Sequence, residues 1–478
     1  MRSLFTVLFT IFLVGTLSAQ EKKWTLQECL ERALENNISI RQSQLDIEAA
    51  DIDKVDAIGN FLPSLNGQAT NSWNTGLTQN VTTGVLQSQT TRNLSLGVTA
   101  SLNLFDGLRN FKQLQRAKIA RIAAQYSLEQ MEDDIALFVA NGFLQVILNK
   151  ENLKVLEAQN TVTAQQINQT RELVDGGVLP RGDLLEVQAQ NAGELQSIVE
   201  AQNAVQISLI SLAQTLLIKD YKTFDIADEG YEVAGEAILL NSPQDIIEKA
   251  KEERYEIKIA EENRKLAEKD VELARGAYLP TLGAFVNYNT RESGAGRFLD
   301  PVLDPDEPTR QIGFVQGTEQ VVVAPNTVST LGSPLPFFEQ LYLNDGISYG
   351  FQLSVPVFNG FATRNQVKRS KVNVKRAEFN LEQAKLDLES NVYQAYLDAQ
   401  GALKAYEAAQ VAAESQELAY DYAKDRYDVG LTNAFDFSQS KQRYDNAQIE
   451  MNRTKYDYIF RLKVLELYFG VPISELKF

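Results

Sequence analysis

The stretch Asn93-Leu94-Ser95-Leu96-Gly97-Val98-Thr99-Ala100-Ser101-Leu102-Asn103-Leu104-Phe105-Asp106-Gly107 alternates almost without fault. Leu94, Leu96, Val98, Ala100, Leu102 and Leu104 point one way, and Asn93, Ser95, Gly97, Thr99, Ser101 and Asn103 the other, as the period of two in a strand requires. Segments of about ten residues with one apolar and one polar face mark the strands of transmembrane barrels. Taken singly, such a segment also fits a half-buried strand of a soluble sheet. The pattern returns downstream, where Ile347, Tyr349, Phe351, Leu353, Val355 and Val357 stand opposite Ser348, Gly350, Gln352, Ser354 and Pro356 before Phe358-Asn359-Gly360. Gly177-Val178-Leu179 with Asp183 likewise returns as Gly430-Leu431-Thr432 with Asp436. Phe105 to Phe358 and Gly177 to Gly430 are both 253 residues, so the chain is a twofold repeat without a net insertion between these points.

Two long alternating strands at the same place in a repeat favour the barrel over the soluble sheet. Leu282, Ala284, Val286 and Tyr288 predict a shorter third strand, and Leu65 to Trp73 a fourth. Four strands cannot close a barrel, since known ones start at about eight. The barrel must therefore be shared between copies of the chain. Loops at Asn74 to Arg92 and Arg291 to Gly346 link the strand pairs; the second is longer and holds a proline-rich stretch, Pro301 to Pro308.

Between the strands lie very long helices. No proline occurs from Ser64 to Leu179 or from Val357 to Val471. Phe111 to Val174 and Phe361 to Asp428 each predict a helix of about 100 Å at 1.5 Å per residue. Matched apolar positions (Leu128 and Leu381, Ile135 and Leu388, Val139 and Val392, Phe143 and Tyr396) keep one stripe facing a partner. Gly142 and Gly401 fall inside these helices at unmatched points. Asp175-Gly176-Gly177 and Asp428-Val429-Gly430 turn the chain back, glycine permitting the positive φ of a helix C-terminus. Return helices follow over Asp183 to Leu217 and Asp436 to Phe469. Trp24 to Phe61 and Ser242 to Tyr278 are the helical segments left to cover the remaining length.

Residues 1–19 read as a secretory signal: Arg2, an apolar run from Leu4 to Leu17, then Leu17-Ser18-Ala19 before Gln20. Beyond it, no apolar run reaches the roughly 18 residues a spanning helix needs. A closed barrel is the other structure whose backbone is satisfied in lipid. The net charge of −17, from 63 acidic and 46 basic residues, argues against nucleic acid as a partner. With no histidine and one cysteine, Cys29, the chain has almost nothing for soft metal sites or histidine catalysis. No nucleophile–base set, phosphate loop or metal spacing stands out, so no enzyme, cofactor or metal is expected.

The order of these motifs resembles the TolC-like outer-membrane efflux and export channel family. The resemblance is carried by Leu26 to Asn37 (Leu-x-x-Cys-x-x-x-Ala-Leu-x-Asn-Asn), Leu62-Pro63 and Leu279-Pro280, Phe105-Asp106-Gly107 and Phe358-Asn359-Gly360, and Tyr427-Asp428-Val429-Gly430-Leu431-Thr432 leading to Asp436. It covers essentially the whole chain after the signal. It implies a mainly α fold with transmembrane β: a homotrimer sharing a twelve-stranded barrel, four strands per chain, continued by a long helical barrel across the periplasm. The two structural repeats would be residues 20–240 and 241–478, the second carrying the loop 291–346. The implied partners are a periplasmic adaptor, an inner-membrane transporter and outer-membrane lipid, in a tripartite efflux pump or type I secretion system, with the protein itself a passive gated duct.

The family also implies roles for particular residues. Acidic positions past the second hairpin turn ring the narrow entrance; Asp436 matches the first, while Gln439 departs from the second. Asp183 and Glu186 occupy the same places in the first repeat. Three Asp436 carboxylates near one axis would resist ionisation and attract cations. Asp183-Leu184-Leu185-Glu186 and Asp436-Phe437-Ser438-Gln439 equally fit helix capping boxes, so capping and pore lining both stand. In closed members Asp183 would meet Tyr427, and Thr432 replaces a basic residue that helps this latch. Gly177, Val178, Leu179, Gly430, Leu431 and Thr432 would form the tips an adaptor grips; ordinary turn chemistry explains them as well. Arg116 and Lys118 match Arg369 and Lys371, joined by Lys368, Lys375 and Arg376, either a collar for anionic headgroups or a solvated helix face. The rival function is a secreted coiled-coil structural or adhesive protein without a pore.

Overall fold

A computed structural model describes residues 23–79, 86–227, 230 and 236–471; the expected signal at 1–19 lies outside them. The chain falls into two compact units, one of residues 1–52, 118–268 and 372–478, the other of 53–117 and 269–371. Each unit draws on both repeats.

The second unit holds the sheet. Its strands are β2 (Ser64–Gln79), β3 (Leu86–Phe105), β5 (Thr281–Ser293) and β12 (Gly346–Ser354), antiparallel throughout in the order β12-β5-β3-β2. Register follows the alternation. Leu96 opposes Ala69, and Val98 opposes Tyr288 and Gly67. Ile347, Tyr349, Phe351 and Leu353 oppose Tyr288, Val286, Ala284 and Leu282. One face is thus apolar from edge to edge and largely uncovered: Leu65, Tyr349 and Phe351 are 73–80% exposed. The other face is polar, with Thr99 Oγ1 donating to Asn287 Oδ1 at 3.1 Å, and Phe285 lying over Gly350.

The strands differ from expectation at three places. β2 and β3 run far into the expected loop Asn74 to Arg92, leaving only 80–85 outside the described strands. Their threonines suit a pleated surface, and Thr75 and Thr90 share a hydroxyl contact of 2.8 Å. β12 stops at Ser354 although alternation continues to Val357. Its last partner is Thr281, and both Pro280 and Pro356 lack the N–H that a longer ladder would need. The long link 291–346 is no structureless loop. It forms an antiparallel arm from β6 (Arg297–Phe298), β7 (Val302–Leu303), β8 (Thr309–Phe314), β9 (Val321–Pro325), β10 (Thr327–Val328) and β11 (Leu331–Gly332), pairing β6 with β11, β7 with β10 and β8 with β9, then a short helix, Phe337–Leu343.

Both strand-to-helix junctions have the same backbone. Gly107 and Leu108, at φ +74° and +64°, match Gly360 and Phe361 at +61° and +65°. Two successive left-handed residues reverse the chain sharply. In the first junction Asp106 Oδ2 accepts the N–H of Asn110 at 2.8 Å, and Phe61 meets Phe111 edge-on at 5.0 Å. Arg116 is paired with Asp270 at 2.6 Å, which removes it from any free basic collar; Lys368, Lys371, Lys375 and Arg376 stay exposed.

The first unit is helical apart from one short parallel pair, β1 (Lys23–Trp24) with β4 (Asp225–Ile226). Its elements include α1 (Leu26–Asn36), most of α3 (Arg109–Asp175), α4 (Arg181–Thr215), α5 (Pro243–Glu253), most of α8 (Ala362–Asp428) and α9 (Ala434–Tyr468), with parts of α2 (Ile38–Gly59) and α6 (Tyr255–Gly276). Helix is continuous through Gly142 and Gly401. The filler segments break once each: Asn37 and Arg254 leave the helical region at ψ 135° and 133°. Two cores repeat the plan. One packs Cys29 and Ala33 with Val139, Phe143, Ile147, Leu209 and Leu212; the other packs Ile246 and Ile247 with Leu381, Leu388, Val392 and Leu462. The expected stripe is therefore largely buried, fully so at Val139, Phe143 and Val392, with Ile135 and Tyr396 half-buried.

Candidate functional site at the hairpin tips

The tips are built identically. Gly177 and Gly430 both sit at φ +75°. Gly177 N donates to Val174 O at 3.0 Å and Val178 N to Leu173 O at 2.8 Å; the matched bonds run from Gly430 N to Tyr427 O at 2.9 Å and from Leu431 N to Arg426 O at 2.8 Å. This is a Schellman end, satisfying carbonyls the helix would leave open. Val178 and Leu431 stand about 70% exposed beyond it (69% and 71%), beside Gly177, Gly430 and the half-buried Leu179 and Thr432.

The capping expectation is corrected by three residues. α4 starts from Pro180, and α9 from Asn433, whose Oδ1 accepts the N–H of Asp436 at 2.8 Å. Asp183 and Asp436 are therefore third in their helices, not caps, and Glu186 and Gln439 lie a turn further on. Proline makes no side-chain cap, and an asparagine amide accepts a backbone N–H as well as a carboxylate does. Asp436, Gln439 and Glu186 are exposed, Asp183 half-buried.

The expected Asp183–Tyr427 latch is not made within the chain. Tyr427 is buried, stacks on Phe437 (centroids 5.0 Å, planes 15° apart), and shares a hydrogen bond of 3.0 Å with the fully buried Thr170 hydroxyl. Thr170 belongs to α3 and Tyr427 to α8, so this bond ties the two hairpins. Val187, Ala434 and Phe437 complete a small apolar cluster beneath the tips. Tyr420 continues the aromatic column, stacking on Tyr444 at 5.5 Å.

Sequence reasoning missed the strongest tie. Lys441, only 2% exposed, donates to Thr163 Oγ1 at 2.6 Å and Glu194 Oε1 at 2.8 Å, with Asp445 Oδ2 at 3.9 Å. Glu194 also accepts from Gln190 and Thr163 at 2.9 and 2.8 Å, and Ser438 donates to Gln190. α9 is thus bolted to α3 and α4 by a buried, largely satisfied polar network. Burial raises the Asp445 carboxyl to about 7, against the opposing pull of Lys441 and with the push of Glu194. A charge within a polar helix face gives no sequence cue to its burial. No group of acidic residues or cysteine among the described residues is arranged to hold a metal, and no described helix is long and apolar enough to cross a membrane.

An edge-exposed antiparallel sheet with one apolar face and a pair of repeated helical hairpins are the elements expected from the resemblance. The sequence model of the outer membrane efflux protein family matches residues 29–216 and 246–471. The chain belongs to the outer membrane efflux protein family. It is 24% identical over 464 residues to outer membrane protein TolC of Vibrio cholerae, covering 96% of this chain and 93% of that one. Among solved structures it resembles the CmeC outer membrane channel of Campylobacter jejuni (TM-score 0.71, 17% identity, 94% and 88% coverage) and VceC of Vibrio cholerae (0.71, 14%, 94% and 96%). As a family member the protein is an outer-membrane efflux channel extending into the periplasm, and the pore-free coiled-coil alternative is set aside.

Proposed function

We propose that the protein is the passive, gated duct of a tripartite efflux pump or type I secretion system, and catalyses no reaction. The observation that carries the reading is the sheet whose two edges, at β2 and β12, have no strand partner among the described residues, and whose apolar face is exposed below the short helix 337–343. Within lipid every backbone group must be paired, so such a sheet closes only by joining copies edge to edge. Three copies give a twelve-stranded barrel. The polar sheet face lines the path. Asp436 and Gln439, with Asp183 and Glu186, ring the periplasmic entrance; Tyr427 with Thr170 and Lys441 with Glu194 hold the hairpins shut. The exposed tips, Gly177-Val178-Leu179 and Gly430-Leu431-Thr432, receive a periplasmic adaptor, and an inner-membrane transporter supplies the energy.

The test is imaging of detergent-extracted full-length protein by negative-stain electron microscopy, with conductance in a planar bilayer. A threefold cylinder well over ~100 Å long that conducts is the expected result. A soluble or twofold rod would sink the shared barrel.

A further inference from the structure

We infer that the short helix α7 (Phe337–Leu343) is a membrane-interface anchor, lying outside the barrel with its aromatic side chains at the headgroup–acyl boundary of the outer leaflet. The helix packs over the upper end of the apolar sheet face and against the stretch of the β5 edge, beyond Asn289, that β12 leaves unpaired. On β5 that face reads Leu282, Ala284, Val286 and Tyr288 upward, then turns polar at Thr290 and Glu292. Both are buried, Glu292 paired with Arg92 at 2.7 Å. Thr290 Oγ1 donates to Leu341 O at 2.6 Å, which places α7 over this face at the upper rim of the apolar band.

The contacts the helix makes with β5 are polar, and those to Ser293 and Arg291 satisfy backbone groups at the sheet edge. Gln340, 7% exposed, donates to Ser293 O at 3.1 Å and accepts from Ser293 N at 3.0 Å, while Asn344 donates to Arg291 O at 3.0 Å. Its outward side is apolar: Phe338 is 82%, Tyr342 81% and Leu343 60% exposed. A helix on a water-facing surface has the opposite polarity. Polar contacts inward and aromatic side chains outward suit a lipid surface, and aromatic residues girdle barrels at the level where the apolar band ends. The outward side of α7 continues the lipid-facing band itself, which identifies lipid as the occupant. Loops at this end face the outside of the cell.

This inference rests on the shared-barrel reading, and one experiment separates the two. Nitroxide labels are placed on F338C, Y342C, Y349C and T318C variants of the full-length protein in phosphatidylethanolamine–phosphatidylglycerol vesicles; Cys29, fully buried, stays in place. Collisions with oxygen, which partitions into lipid, are compared with those of an aqueous nickel chelate. At positions 338 and 342 the oxygen-to-nickel ratio should be several-fold above that at 318, approaching that at 349. A ratio at 342 equal to that at 318, with 349 in lipid, overturns the anchor alone. Exclusion of both reagents at 342 overturns it in favour of contact with a second copy. An aqueous 349 overturns the barrel and the anchor together.

Discussion

At Lys441 the ammonium is sealed among Thr163, Glu194 and Asp445. Removing one partner of a buried pair costs about 3–5 kcal/mol, whereas replacing both by apolar groups is often neutral. Glu194→Gln should therefore loosen the hairpin contact and raise the frequency of channel opening in a bilayer, and Lys441→Met with Glu194→Leu should largely restore the closed state. Asp445 adds a pH dependence. Its folded carboxyl titrates near 7 rather than at the ordinary 3.8. Between those values the folded state binds a proton that the unfolded state does not, so this group's stabilising contribution, full below the lower value, falls as pH rises towards neutrality. Protection factors for amide exchange, corrected for the intrinsic pH dependence of the rate, should be higher at pH 5 than at pH 8 at residues 160–195 and 420–445, and Asp445→Asn should flatten the difference. Asp436 is different, being exposed and third in its helix. Asp436→Ala should cost only about 0.3–1 kcal/mol of helix stability while changing cation block of single-channel currents; unchanged block with a lower melting temperature would assign it to the helix end alone.

Among the elements, the matched junctions at Gly107 and Gly360 give a paired test. Both residues have positive φ, but a Cβ on Gly107 would come within 2.3 Å of Gly276 O, while one on Gly360 meets nothing within 4 Å. Gly360→Ala should cost about 1–2 kcal/mol from the left-handed backbone alone; Gly107→Ala should cost clearly more, read as a lower melting temperature of the purified assembly. This is also the scale at which sequence was most legible. Alternation found the strands, the absence of proline found the long helices, and glycine found the tips, because each is a local rule. The ends of β2, β3 and β12 were misjudged because a strand's length is decided by its partner: Thr75 extends against Thr90, and β12 stops where Pro280 ends β5's donors. The bond between Tyr427 and Thr170 was illegible for a related reason. Nothing near Tyr427 in sequence points to Thr170, and the cap at Asn433 lies three residues before the aspartate that the resemblance singled out.

For the molecule as a whole, the free edges at β2 and β12 have a consequence for how it comes together. Joining a second copy pairs one edge from each, yet the product still ends in two bare edges, as a single copy does. Every linear string of copies ends the same way, and only closing the ring removes both ends at once. Partly built species therefore hold an unrelieved defect that the finished ring lacks, and in lipid that defect costs several kcal/mol for each unpaired backbone group. Maturation should pass abruptly from single chains to the closed form, with two-chain species staying scarce when newly made protein is trapped by crosslinking at short times. The same arithmetic makes the yield of closed rings fall faster than linearly as synthesis is turned down, so the cell would gain few working ducts from a small leak of expression.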